Sequence, residues 1–150
     1  MNENDNLIRI ILVDDDKEDC LIFEEAIKGL NMRTNLSFFH DGIQVLDYLN
    51  KPDSVLPDIL FLDINMPLMS GIECLKELRA NQRFSNLPIA IYSTSSSESD
   101  IEETFVSGAN VYINKPSSFD KLQKVLKDIL KMQYQFHNSN LNISTFLYSC

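Results

Sequence analysis

Apolar and polar positions along the chain follow two alternating periods. Short, nearly continuous apolar runs are typical of strands buried on both faces. Five such runs are present, the second being the weakest: Leu7–Val13, Leu36–Phe39, Asp58–Leu62, Pro88–Tyr92 and Asn110–Ile113. Between and after them, apolar residues recur every three or four positions, which predicts amphipathic helices: Lys17–Leu30, Gly42–Leu49, Gly71–Ala80, Glu98–Ser107 and Ser117–Leu130. Five strand–helix units predict an α/β domain with a parallel sheet and helices on both faces.

Composition and charge restrict the class of protein. The chain has 150 residues, of which 44% are hydrophobic and 23% charged, as expected for one globular domain. Its net charge of −9 argues against partners such as nucleic acid or an anionic membrane. The sequence has no apolar run of about 18 residues, the length needed for a transmembrane helix, and no signal-peptide pattern. Since Cys20, Cys74 and Cys150 are also widely spaced, we expect reduced thiols and a cytoplasmic protein.

The last part of the chain has a different character. From about Tyr134 to Cys150, Asn and Ser residues alternate with aromatic ones, and no helical stripe is evident. We therefore expect one domain over residues 1–133 and a C-terminal extension or tail over residues 134–150. The sequence leaves open whether this segment is mobile or docked.

Polar side chains follow four of the predicted strands. These residues are Asp14, Asp15 and Asp16 after the first strand, Asp63 after the third, Ser93 and Thr94 after the fourth, and Asn114, Lys115 and Pro116 after the fifth. The carboxyl ends of parallel strands meet at one edge of a sheet, where open α/β sheets bind ligands. The sequence therefore predicts a functional site at this edge.

Three of the acids predict a metal site. Asp14, Asp15 and Asp63 would crowd together if the first and third strands are neighbours, and carboxylates this close cannot all ionise cheaply. A divalent cation relieves that repulsion, and hard oxygen ligands suit Mg²⁺ or Mn²⁺. Asp16 is better explained as the N-cap of the first helix, which begins Lys17-Glu18-Asp19.

Asp63 has the properties of a nucleophile. An acid at the end of a buried strand costs desolvation energy, which makes it a poor core residue. Beside Mg²⁺ bridging the reacting oxygens, an aspartate can attack a phosphoryl group and form an aspartyl phosphate. The ammonium of Lys115 and the hydroxyl of Ser93 can donate to the phosphoryl oxygens.

Four motifs together resemble the receiver domain of two-component response regulators. They are ILVDDD, ILFLDINMP with SG shortly after, IAIYST and GANVYINKP, in the order found in that family. Their spacing is similar too, with 30 positions from Asp63 to Ser93 and 22 from Ser93 to Lys115. The resemblance covers about Leu7 to Leu130 and is to stand-alone, chemotaxis-regulator-like members. It implies a doubly wound, five-stranded parallel sheet of flavodoxin-like order 2-1-3-4-5.

The resemblance implies a role for each acid. Asp63 matches the phospho-acceptor. Asp15 matches the direct Mg²⁺ ligand, and Asp14 the acid that acts through water. Asn65 matches the residue whose backbone carbonyl binds the metal together with Asp63.

The resemblance also implies a phosphoryl-binding and switch group. Ser93 matches the hydroxyl position, being five residues past Pro88, with Thr94 beside it in the same loop. Lys115 matches the invariant lysine, and the family pattern implies a cis Lys115–Pro116 bond. Tyr112 matches the aromatic that swings inward when the hydroxyl moves to the phosphoryl group, although it is also good strand material.

The implied function is that of a single-domain response regulator. A sensor histidine kinase or a histidine phosphotransfer protein would give its phosphoryl group to Asp63, and slow self-dephosphorylation would follow. The surface around Tyr112 and the fourth helix would switch to bind a downstream protein target. Such a receiver catalyses reactions on itself and is a switch rather than a turnover enzyme. The pattern, including TSSSESDI, is similar to regulators accompanying phytochrome-type kinases; a homodimer is left open.

Three other classes compete with this interpretation. A phosphatase of the haloacid dehalogenase type needs an acid two residues after its nucleophile, where this chain has Asn65. A flavodoxin-like FMN carrier needs a phosphate loop after the first strand, where Asp14, Asp15 and Asp16 would repel phosphate. A degenerate receiver would act by binding alone, and Mg²⁺ titration would distinguish it.

Overall fold

Helices alternate with the strands of one parallel sheet. The computed structural model describes residues 6–133 and 146–148. Its elements are β1 (Ile8–Val13), α1 (Lys17–Lys28), β2 (Thr34–Phe39), α2 (Gly42–Leu49), β3 (Ile59–Leu62), α3 (Gly71–Ala80), a 3₁₀ turn (Gln82–Phe84), β4 (Ile89–Ser93), α4 (Glu98–Val106), β5 (Val111–Asn114), α5 (Phe119–Met132) and β6 (Leu147–Tyr148). The predicted α/β class and its strand–helix alternation are confirmed.

The sheet has six strands rather than five. Its order is β2-β1-β3-β4-β5-β6, and every neighbouring pair is parallel. The order 2-1-3-4-5 is therefore confirmed, while the five-stranded count is wrong. β6 adds to the free edge of β5, with Tyr112 opposite Leu147 and Ile113 opposite Tyr148. An edge strand offers unpaired N–H and C=O groups to any extended segment, and two residues are too few to produce a sequence period.

The predicted C-terminal tail is described only in part. Residues 134–145, 149 and 150, which include Cys150, lie outside the described residues. Residues 146–148 are docked, and Phe146 is fully buried. The docked alternative holds for this short stretch, while the boundary at residue 133 stays a prediction.

Each face of the sheet carries its own apolar layer. Phe23 of α1 and Leu126 of α5 belong to one layer, and Val45 of α2 and Leu75 of α3 to the other. Residues along each strand point alternately into the two layers, which explains why the strands read as continuous apolar runs. No helix in the described part of the chain is long and apolar enough to cross a membrane. Three of the four buried polar side chains in the described residues, Asp14, Asp63 and Ser93, lie at or just after strand ends.

Side-chain caps begin the helices that flank the site. Asp16 precedes α1, and its carboxylate accepts hydrogen bonds from the backbone N–H groups of Glu18 and Asp19. Its predicted role as an N-cap is confirmed. Ser97 caps α4 in the same way by accepting from the N–H of Asp100. These caps fix where the loops after β1 and β4 end.

Candidate functional site

Three acids meet at the carboxyl edge of the sheet. Asp14 and Asp15 follow β1, and Asp63 follows β3, which pairs directly with β1. One carboxylate oxygen from each residue lies within 4.8 Å of the others. Asp14 and Asp63 are buried, whereas Asp15 is exposed. The predicted clustering follows from this strand order.

The chemistry of the cluster fits a divalent cation. Three carboxylates supply hard oxygen donors, and the exposure of Asp15 leaves one side open to water. The N–H of Asn65 lies 3.4 Å from Oδ1 of Asp63, which places the Asn65 backbone beside the cluster. Metal binding by the carbonyl of Asn65 and water-mediated binding by Asp14 stay predictions.

The surroundings of Asp63 disfavour its ionised form. Burial is the main cause and raises its pKa from 3.8 to about 6. The positive charge of Lys115 lowers the pKa of Asp63, and the negative charge of Asp14 raises it further. The hydrogen bond from the N–H of Asn65 also lowers this pKa. Asp63 therefore ionises near neutral pH against an unfavourable environment, which a cation would improve.

Lys115 supplies a positive charge beside the acids. Its Nζ lies 2.8 Å from Asp14 Oδ2, 2.8 Å from Asp19 Oδ2 and 3.6 Å from Asp63 Oδ2. It also lies 5.2 Å from the centre of the Tyr92 ring. Burial alone would lower the pKa of Lys115, but the hydrogen bonds to Asp14 and Asp19 raise it above its usual value. Lys115 is therefore a fixed cation within reach of Asp63.

The peptide bond between Lys115 and Pro116 is trans, so the expected cis bond is wrong for this structure. The trans form is the lower in energy for X–Pro bonds, by about 0.5–1 kcal/mol. Lys115 makes its contacts with the acids in this form. The expectation rested on the family pattern and not on any local contact in the sequence.

The loop after β4 carries the hydroxyl groups. Ser93 is fully buried, and its Oγ accepts a hydrogen bond of 3.1 Å from the N–H of Ser95. Thr94 is exposed. Since β4 pairs with β3, Ser93 lies at the same edge of the sheet as Asp63. Burial thus distinguishes Ser93 from Thr94, while phosphoryl binding by either hydroxyl stays a prediction.

Two side chains of β5 hold this loop. Tyr112 is fully buried, and its hydroxyl donates to the carbonyl of Ser95 at 2.7 Å. Asn114 Nδ2 donates to the same carbonyl at 2.9 Å. The hydroxyl of Ser95 donates to Asp100 at the start of α4, at 2.6 Å. Tyr112 is thus connected to the hydroxyl-bearing loop and to α4.

Three residues near the site were not identified by the sequence analysis. Asp19 pairs with Lys115, but an acid in the first turn of a helix has an ordinary explanation. His40 Nδ1 lies 3.3 Å from the carbonyl of Asp14, whereas the sequence offered it no partner. At Gly71, a Cβ would lie 2.0 Å from the carbonyl oxygen of Asp63. The SG pair in the motif was the only signal for this close approach.

Comparisons with known sequences agree with the geometry. The profile described as "Response regulator receiver domain" matches residues 10–127. Response regulator Rcp1 of Synechocystis sp. is 27% identical over 124 residues, covering 80% of this chain and 84% of that protein. A CheY homolog, a chemotaxis protein of Campylobacter jejuni, is 29% identical over 123 residues, covering 82% and 92%.

Solved structures of similar proteins share the fold. Phosphorylated RcpA, a cyanobacterial phytochrome response regulator, has a TM-score of 0.78 and 27% identity, covering 86% of this chain and 95% of that one. The Mn²⁺-bound form of Rcp1 has a TM-score of 0.75 and 25% identity, covering 90% and 99%. With a matching profile over most of its length, this chain belongs to the response regulator receiver domain family.

Proposed function

We propose that Asp63 accepts a phosphoryl group from a phosphohistidine and that this switches the protein between two states. The observation that carries the proposal is the position of Asp63. Its buried carboxylate lies beside Asp14 and Asp15 and within 3.6 Å of the Lys115 ammonium. A structural acid has no need of two further acids and a buried cation around it.

The transfer is a displacement at phosphorus. A carboxylate oxygen of Asp63 attacks, a P–O bond forms, and the P–N bond to the donor histidine breaks. The electron pair stays on the imidazole, which leaves as a neutral ring when its other nitrogen carries a proton. The N–H groups of Lys115 and the O–H group of Ser93 donate hydrogen bonds to the phosphoryl oxygens, where negative charge accumulates.

The acids would also hold a divalent cation, Mg²⁺ or Mn²⁺. Asp15, Asp63 and the carbonyl of Asn65 would bind it directly, and Asp14 through water. A bound cation neutralises the repulsion between the carboxylates and the phosphoryl oxygens. The similar Rcp1 has a Mn²⁺-bound form, which supports this assignment.

Hydrolysis returns the protein to its first state. Water attacks phosphorus, the P–O bond to Asp63 breaks, and inorganic phosphate leaves while the carboxylate is restored. This slow self-dephosphorylation makes the protein a switch rather than a turnover enzyme. The switched surface lies around the buried Tyr112 and α4, because Ser95, in the loop that bears Ser93, hydrogen-bonds to both Tyr112 and Asp100 of α4.

The proposed donor is a sensor histidine kinase or a histidine phosphotransfer protein. One relative in Helicobacter pylori is a sensor histidine kinase, which supports a donor of that class. The similar RcpA is a phytochrome response regulator, which favours a donor kinase of phytochrome type. A downstream protein would bind the switched surface, and a homodimer is compatible with this scheme. The cytoplasm is the proposed compartment, since Cys20 and Cys74 are free buried thiols.

Phosphoryl uptake tests the proposal directly. The wild type and Asp63→Asn are incubated with acetyl phosphate and Mg²⁺, and intact mass is measured. Asp47→Asn, which changes an exposed acid of α2, is the matched control. We expect one added phosphoryl group in the wild type and the control, none in Asp63→Asn, and none without Mg²⁺. Uptake by Asp63→Asn at the wild-type rate would show that Asp63 is not the acceptor.

A degenerate receiver makes a different prediction. It would take up no phosphoryl group from acetyl phosphate or from a kinase, and calorimetry would detect no Mg²⁺ binding. Mg²⁺ binding that is lost in Asp15→Asn would support the proposed ligand set.

A further inference from the structure

The ammonium group of Lys115 is shared among carboxylates. Its Nζ lies 2.8 Å from oxygens of both Asp14 and Asp19, but 3.6 Å from Asp63. The Lys115 side chain is only 9% exposed, so these carboxylates rather than water determine where the ammonium lies. In this state the cation is held towards β1 and α1 and stands farther from the acceptor.

The contact with Asp19 is not explained by the helix it belongs to. Asp19 lies in the first turn of α1, where an acid interacts well with the helix dipole. The capping role is already filled by Asp16, which accepts from the N–H groups of Glu18 and Asp19. The side chain of Asp19 instead reaches Lys115 at the end of β5 and is 31% exposed. This is a tertiary ion pair between two elements of the site.

The phosphorylated state needs the same ammonium. A phosphoryl group carries roughly −1.5 to −2 charges near neutral pH. An ammonium has three N–H donors, and Asp14 and Asp19 each accept from the Lys115 ammonium at 2.8 Å. Moving this ammonium to hydrogen-bond several phosphoryl oxygens on Asp63 would therefore weaken or break one of those two contacts. Asp14 is fully buried, and losing Lys115 would leave its carboxylate with the hydrogen bond from the N–H of Asp16 but no water to replace the ammonium. Asp19 is partly exposed, so water can replace Lys115 there at lower cost.

We propose that Asp19 is a positioning residue for Lys115. It holds the ammonium back from Asp63 in the unphosphorylated protein and competes with the phosphoryl group for it. Asp19 thereby weakens the phosphorylated state relative to the unphosphorylated one. This inference rests on the proposed function of Asp63 and adds a residue that acts through Lys115 rather than on the reacting atoms.

Binding of a phosphoryl mimic tests the competition. Beryllofluoride is titrated into the full-length protein in excess Mg²⁺, and its dissociation constant is measured by calorimetry. Asp19→Asn keeps the shape of the side chain and removes the charge that holds Lys115. We expect beryllofluoride to bind about threefold to tenfold more tightly, the size of coupling usual within one ion-pair network.

Matched variants separate positioning from a general charge effect. Glu18→Gln removes the same charge from the same turn at an exposed position, and we expect a change below about twofold. Asp19→Glu keeps a carboxylate and should restore an affinity close to that of the wild type. In a Lys115→Met background, Asp19→Asn should have no further effect, because the residue through which it acts is gone.

Several results would overturn the inference. They are equal effects of Asp19→Asn and Glu18→Gln, unchanged or weaker binding in Asp19→Asn, or the same gain in the Lys115→Met background. Should Lys115→Met fail to fold by circular dichroism, the three single substitutions at positions 18 and 19 decide. A wild type that neither binds beryllofluoride nor takes up phosphoryl overturns the proposed function as well. Normal wild-type binding with no effect of Asp19→Asn overturns the positioning role alone.

Discussion

The surroundings of Asp63 are unfavourable for the negative charge of its carboxylate. Its carboxylate is buried at the end of β3, next to Asp14, and Lys115 and the N–H of Asn65 compensate only in part for these surroundings. The same features suit the proposed role of Asp63 as phospho-acceptor, because an ionised carboxylate with little hydration is a more reactive nucleophile. Stability and reactivity therefore oppose each other at this residue.

This opposition predicts how stability depends on pH. Asp63 has a pKa of about 6 in the folded protein against an ordinary value of 3.8, so folding favours its protonated form. Its contribution to stability is full below about pH 4 and is lost as the pH rises through about 6. Asp63→Asn lacks this loss, so its free energy of unfolding at pH 7 should be higher than that of the wild type, by on the order of 3 kcal/mol.

Urea denaturation of both proteins from pH 4 to pH 7 measures this difference. The titrations are made with a chelator present, since a bound cation would favour the ionised form. The wild type should lose stability relative to Asp63→Asn across this range. Parallel curves for the two proteins would show that Asp63 titrates normally in the folded state.

The residues of the site differ in how far the sequence predicts them. Asp14, Asp63, Ser93 and Lys115 each follow an apolar run, and parallel strands bring such positions to one edge. Asp19 lies inside a helix, where capping and dipole effects already account for an acid. Its contact with Lys115 depends on how α1 is rotated against the sheet, which a single sequence does not specify.

The approach of α3 to the acceptor loop depends on Gly71. The N–H of this first residue of α3 donates to the carbonyl of Ile64 at 2.8 Å. A Cβ here would lie 2.0 Å from the Asp63 carbonyl oxygen and 2.7 Å from Cα of Ile64. Both are backbone atoms, so the loop or the helix would have to move. Gly71 thus sets how closely α3 packs against the backbone of Asp63 and Ile64.

Gly71→Ala should therefore destabilise the protein by about 2–3 kcal/mol and slow phosphoryl uptake by Asp63. Gly42→Ala is the matched control at the start of α2. Its Cβ would first meet the Met69 sulfur, at 3.1 Å, which belongs to a flexible side chain. Urea denaturation and acetyl phosphate labelling measure both effects. Equal, small losses in the two variants would contradict the close approach at Gly71.

Most elements were predicted because their periods are strong. β1, β3, β4 and β5 are buried on both faces and read as apolar runs, while α5 has a clear stripe of apolar residues. β6 has only two residues and pairs with the free edge of β5. Such pairing depends on the sheet being formed, so no local pattern indicates it.

At the scale of the whole molecule, residues 146–148 pack on the side that contains Tyr112 and α4. The Phe146 ring lies 5.2 Å from that of Phe105 on α4 and 6.1 Å from that of Tyr112. Tyr148 hydrogen-bonds to Asp128 of α5. β6 therefore joins the parts of the molecule that surround Tyr112, and it helps to line a cavity of about 490 Å³ that extends to Lys115.

Phe146 should contribute most of the binding energy of this segment. It is fully buried, whereas the neighbouring Leu147 is 41% exposed. Phe146→Ala should lower the free energy of unfolding by about 3 kcal/mol, the usual cost of removing a buried phenyl group. Leu147→Ala keeps the same strand pairing and should cost less than about 1 kcal/mol. Urea denaturation of the two variants beside the wild type measures the difference.

The comparison also decides whether β6 is part of the domain in solution. If residues 146–148 pack as described, the two substitutions differ because one empties a buried site and the other trims a half-exposed side chain. Equal losses near zero would mean that the segment is undocked in the free protein, so that the edge of β5 and the Tyr112 ring are open to a partner. A large difference would mean that any partner using this edge has to displace the chain's own residues first.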